Sequence, residues 1–109
     1  MSGWNAIAAE GRLALERQKA AWKTPAAAQE AVLQRVLGLT ERSAFGREHG
    51  LRQGMALAEW RDAVPIRDAS AFEGWTGRIA GREGAVLTTE PVLAFELTGG
   101  SSGGRRAVP

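Results

Sequence analysis

The stretch that most constrains this chain is PVLAFELTGGSSGGRR, residues 91–106. Leu93, Phe95 and Leu97 alternate with Ala94 and Glu96. That is the period-two pattern of a strand with one apolar face, expected here over residues 91–98. Residues 99–104 then hold four glycines and two serines, and Arg105 and Arg106 follow. Such a run is compatible with a flexible C-terminal tail. It is equally compatible with a phosphate loop. Glycines let successive N–H groups converge on phosphate oxygens, hydroxyls add donors, and a cation behind the loop adds charge-assisted bonds. Thr98, the run 99–104, Arg105 and Arg106 would supply those parts. The common named loops do not fit. A P-loop ends on glycine-lysine followed by Ser or Thr, and a dinucleotide fingerprint opens a helix on its glycines. Here Arg105 and Arg106 follow Gly104, and the sequence reaches Pro109.

The 109 residues suffice for one small domain, with a modest core because much of the apolar content is alanine. The absence of cysteine excludes disulfides, thiolate metal sites and cysteine nucleophiles. A single histidine, His49, excludes a histidine-rich metal site. The formal charge is only +2, and Arg105 and Arg106 account for it. The remaining arginines are scattered among glutamates, so the concentrated basic face of a nucleic-acid binder is missing. No segment approaches the roughly 20 apolar residues that span a bilayer. The expectation is a soluble cytoplasmic protein with neither nucleic-acid nor membrane partners.

Residues 1–24 form the first expected unit, an amphipathic helix over 4–22. Trp4, Ala8, Gly11, Leu15, Gln18 and Trp22 lie on one stripe, expected to pack on the chain's own domain. The second unit is residues 25–109. Thr24 and Pro25 mark a helix start, with Ala28, Val32, Val36 and Leu39 as its apolar stripe. Gly46 is expected to stop a short following segment, and His49-Gly50 to turn. A short helix covers 57–63, and Pro65 forces Val64 out of the helical region. Asp68 or Ser70 caps a helix that runs to about Ala80, with Phe72, Trp75 and Ile79 on one face. The chain is then expected to turn through Gly81 and Gly84.

His49 is a general base by type, but with no visible partner it reads as structural. Trp4, Trp22, Trp60 and Trp75 read as core or domain-contact residues rather than as stacking platforms. Asp62 and Asp68, flanking Val64-Pro65-Ile66, read as one exposed and one capping carboxylate rather than as a metal pair.

The pieces AVLQRVLGLTERSAFGREHGL, WRDAVPIRDASAF, RIAGREGAVLTTEPVLAFELT and TGGSSGGRRAVP occur in this order over the chain. In order and spacing they resemble the start of the auxin-conjugating (Gretchen Hagen) acyl-acid amido synthetase family, including its bacterial members. The resemblance implies an α/β fold: the helix-rich N-terminal portion of an adenylate-forming domain, with a strand leading into a Gly/Ser phosphate loop. It implies use of ATP and Mg²⁺ to convert a carboxylic acid to an acyl-adenylate, followed by transfer to an amino-acid amine. It assigns phosphate binding to Thr98, Gly100, Ser101, Ser102, Gly103 and Arg106, and no catalytic or metal-ligating residue. Two positions depart from the family. Gly99 replaces a serine, and Arg106 replaces a lysine, which exchanges a compact ammonium for a planar fork. In the family the adenine-binding, acyl-pocket and C-terminal segments would follow Pro109, so the resemblance implies an N-terminal fragment, inactive alone. The rival expectation is a small helical binding module with a disordered Gly/Ser/Arg tail.

Overall fold

A computed structural model describes residues 3–99 and 106–109. The described residues are mostly helical, with one two-stranded sheet. They fall into two compact units, divided between Leu33 and Gln34 inside the second helix.

The first unit contains α1 (Gly3–Lys23) and the opening of α2 (Pro25–Thr40). Alanines and long unbranched side chains favour α1, and Lys23 in its last turn complements the helix dipole. Thr24 separates the helices. Its carbonyl accepts the Ala28 N–H, and Pro25 takes the first helical position, where its missing N–H costs nothing. No residue of α1 is buried, and Trp4 is 80% and Trp22 65% exposed. The helix is as expected, but its stripe does not enter a core, because the apolar core forms elsewhere in the chain.

The second unit carries that core: Leu37, Phe45, Leu51, Met55, Ile79 and Val86. It is built from the end of α2 with α3 (Ala44–Glu48), α4 (Leu57–Ala63), a short 3-10 helix (Ala69–Phe72) and α5 (Glu73–Ala80). On α2 the buried positions are Leu37 and Thr40, whereas Val32 and Val36 of the expected stripe are 60% and 42% exposed. The chain leaves α2 through a buried turn. Ser43 Oγ donates to the Thr40 carbonyl (2.7 Å) and accepts the Gly46 N–H (2.9 Å). This caps α3 and satisfies a fully buried hydroxyl on both sides. Gly46 therefore lies inside α3 and does not stop it. A Cβ at Gly46 would sit on the Thr40 carbonyl, so glycine is required by close approach of backbone.

The loop after α5 docks on the start of α3. Ala44 and Phe45 N–H groups donate to the carbonyls of Ala85 and Val86 (2.8 and 2.9 Å). The left-handed backbone in this loop falls on Arg82 (φ 66°) and Ala85 (φ 51°), not on Gly81 and Gly84. That strain is held by these bonds and by a two-pronged ion pair from Arg78 to Glu83 (2.6 and 2.7 Å), with the Arg78 guanidinium over the Trp75 ring.

Strand structure is narrower than expected. Only Glu96–Leu97 (β1) forms a strand within 91–98, paired antiparallel with Ala107–Val108 (β2). A strand needs a neighbour at each residue it extends through, and β2 offers two. Leu93 and Leu97 stay exposed, so the alternation marks an apolar face without a cover among the described residues.

Gly46→Ala is expected to destabilise the chain by about 2–3 kcal/mol through forced backbone displacement. Gly38→Ala is expected to stabilise it by about 0.5–1 kcal/mol, because alanine is the better helix residue and a Cβ there meets only the Gln53 side chain at ordinary contact distance. Guanidinium midpoints for the two variants should shift in opposite directions.

Candidate functional site

Of the six candidate phosphate-loop residues, Gly100, Ser101, Ser102 and Gly103 lie outside the described residues. Thr98 and Arg106 are described, and the fold brings them together. β1 ends at Leu97 and β2 begins at Ala107, in the register Leu97↔Ala107 and Glu96↔Val108. Thr98 and Arg106 are the next pair of that ladder. Thr98 N–H donates to the Arg106 carbonyl (2.8 Å), and Arg106 N–H donates to Thr98 Oγ1 (2.8 Å). The two ends of the Gly/Ser run are thus joined by two hydrogen bonds at the mouth of a hairpin. Residues 106–109 return along β1 instead of continuing away from it.

The surroundings of Arg106 are both polar and apolar. A cavity of about 380 Å³ is lined by Arg106, Ala107 and Val108 together with Glu73, Thr76 and Phe95. Asp68, the N-cap of the 3-10 helix, feels the Arg106 charge. Its carboxyl is held below its usual value first by the Ser70 hydroxyl, then by the Ala71 N–H, with a smaller contribution from Arg106. Asp68 and Arg106 are both exposed to water. A second cavity, of about 560 Å³, is lined mainly by residues between 82 and 95 together with Pro109. It includes Leu93 and Phe95, the residues whose alternation announced the strand.

The other singled-out residues serve the scaffold. His49 Nδ1 donates to the Phe45 carbonyl (2.9 Å), and its ring stacks on Phe45 at 4.0 Å between centroids. Trp75 meets Phe45 edge-on at 5.2 Å. Asp68 caps and Asp62 is exposed. Among the described residues, no group of three or more His, Cys, Asp or Glu side chains could hold a metal ion, so none of them is assigned to Mg²⁺. No described helix is long and apolar enough to cross a membrane. Sequence reasoning missed the role of Thr98 as a loop closure. The signal available was its place at the strand end, where a hydroxyl can replace a backbone acceptor.

Three carboxylates are held below their usual values: Asp68 as above, Glu59 by the Ala56 N–H and then Arg52, and Glu83 by Arg78. A lowered folded value contributes stability that is complete above the unfolded value and is lost as pH falls through the folded one. The unfolded values are near 3.8 for Asp and 4.5 for Glu. Urea midpoints should therefore hold above about pH 5 and fall below it. Asp68→Asn should reduce that slope, and an unchanged slope would contradict the assignment.

The GH3 family N-terminal domain matches residues 14–109 of this chain. No curated protein and no solved structure matches it.

Proposed function

The chain belongs to the GH3 family, and on that footing we propose that its hairpin is the triphosphate-binding element of an ATP-dependent acyl-acid amido synthetase. The observation that carries the reading is the double hydrogen bond between Thr98 and Arg106, which joins the two residues flanking the Gly/Ser run, one of them a cation. The loop N–H groups and the Ser101 and Ser102 hydroxyls then bind the phosphate oxygens, and Arg106 adds a charge-assisted bond.

In the reaction, a carboxylate oxygen attacks the α-phosphorus, the bond to the β-phosphate oxygen breaks, and pyrophosphate leaves. An amino-acid amine next attacks the acyl carbonyl, loses a proton, and AMP departs. The hairpin contributes to the first step only. It fixes the polyphosphate so that the α-phosphorus faces the carboxylate, and it neutralises charge that grows on the leaving pyrophosphate. Mg²⁺, where bound to the nucleotide, supplies further charge neutralisation. The acid and the amine are not named by the hairpin residues, since those contact the phosphates alone.

A small helical binding module with a disordered tail is the competing account. It is disfavoured by the return of residues 106–109 to pair with β1.

The test is calorimetric titration of Mg·ATP into the chain. Arg106→Ala should weaken binding about 10-fold or more, the scale of a hydrogen bond to a charged group. Ser101→Ala should weaken it about 2- to 10-fold. Affinity unchanged in both variants would overturn the site.

A further inference from the structure

The stripe Trp4, Ala8, Gly11, Leu15, Gln18 and Trp22 on α1 advances by alternate steps of four and three. That is the spacing of a narrow helix–helix seam. Its end tryptophans are 80% and 65% exposed, and Leu15 inside it is 45% exposed. In the middle stands Gly11. Glycine is the least favourable helix residue after proline, and Gly11 has no positive φ that would require it. A Cβ added there would meet nothing within 4 Å. Gly11 therefore opens a gap at the centre of an exposed apolar seam, between two tryptophans about 27 Å apart along the helix.

The gap has its counterpart on the same helix, four residues further on. When a second α1 is laid antiparallel across a two-fold axis at the level of Leu13, Gly11 of each copy faces Leu15 of the other. Ala8 faces Gln18, and Trp4 meets Trp22 at both ends. Along one flank Ala14 faces Ala14 and Ile7 faces Ala21, so the two backbones can approach closely. The contact is isologous and closes on itself. A parallel pair would set Gly11 against Gly11 and Leu15 against Leu15, leaving the gap empty. A flat lipid surface would rest on the tryptophans and leave it empty too.

We propose that α1 is a self-association surface, through which two copies of this chain pair antiparallel with Leu15 of each seated on Gly11 of the other. The inference is independent of the hairpin and its ligand. Four tryptophans at roughly 150–250 Å² each bring the buried surface near the ~1,000 Å² that a specific interface needs. The dimer is then reversible, with a Kd on the order of micromolar. The second flank carries Arg12 and Lys19, and the axis brings Arg12 against its own copy. Glu16 is already engaged by Lys19 at 3.1 Å. Salt screens this like-charge contact, so the dimer tightens as ionic strength rises. Adsorption to an anionic membrane would weaken instead.

The test is sedimentation velocity of the full chain over a range of concentrations, with circular dichroism to follow helicity in each variant. The expected result is a monomer–dimer equilibrium. Gly11→Leu should weaken it about 10-fold or more, although leucine is the better helix residue. Leu15→Ala should weaken it by a similar factor. Combining the two should regain most of the loss, because the protruding and the small residue change places. Orientation is read from single cysteines in an otherwise cysteine-free chain. Ala14→Cys should cross-link under mild oxidation. Ala8→Cys should not, since its two copies lie about 15 Å apart along an antiparallel pair but side by side in a parallel one.

A chain that stays monomeric at ~1 mM, far above the expected constant, overturns the pairing. So does a dimer that Gly11→Leu leaves unchanged or tightens, or one that cross-links at Ala8 and not at Ala14. A monomer that binds anionic phospholipid vesicles, shifts its tryptophan emission to the blue and is released by salt assigns the face to lipid, and overturns it as well.

Discussion

A single buried hydroxyl organises the second unit. Ser43 gives its proton to the Thr40 carbonyl and takes the Gly46 N–H, so the three residues between α2 and α3 form a turn whose buried hydroxyl is matched on both sides. The turn is tight enough to exclude a side chain at Gly46. It leaves the N–H groups of Ala44 and Phe45 free of their own helix, and these bind the carbonyls of Ala85 and Val86. Thr89 adds a bond to the Leu39 carbonyl. The stretch after α5 is therefore fixed to α2 and α3 before it turns toward β1. Among the described residues no buried side-chain nitrogen or oxygen lacks a partner, so this polar framework carries little internal cost.

The aromatic cluster completes the same support. Phe45 stacks with His49 and with Phe72, meets Trp75 edge-on, and is buried. Apolar burial sets the position of α5, whose start lines the cavity beside Arg106. Thr98, Arg106 and Asp68 themselves remain exposed to water, so solvent weakens the charges of Asp68 and Arg106.

Much of the helical fold was legible in the sequence because its signals are local. Thr24-Pro25 marks a start, Pro65 ends α4 at Ala63 through Val64, and Asp68 caps as expected. The departures come from tertiary contact. Gly46 looks like a helix stop until the Thr40 carbonyl is seen against it. Leu37, and not Val32 or Val36, enters the core, because only the last turn of α2 is covered deeply. The alternation at Leu93, Phe95 and Leu97 reports an apolar face, but strand pairing depends on a neighbour, and β2 is short. At the site, the strand-end threonine, the Gly/Ser run and the two arginines behind it were visible in the sequence. Thr98 and Arg106 lie only eight positions apart, yet no residue pattern encodes that the threonine hydroxyl takes the Arg106 N–H.

The central proposal is that the segment whose ends are joined at Thr98 and Arg106 binds a polyphosphate anion. Amide chemical shifts of the isotopically labelled chain, followed while inorganic triphosphate is added, test it most directly. The account predicts saturable shifts concentrated at Thr98, Gly99 and Arg106 and at the residues between them, with the Phe45–Trp75 cluster undisturbed. Shifts that are absent, that fail to saturate, or that centre on another part of the chain would contradict it.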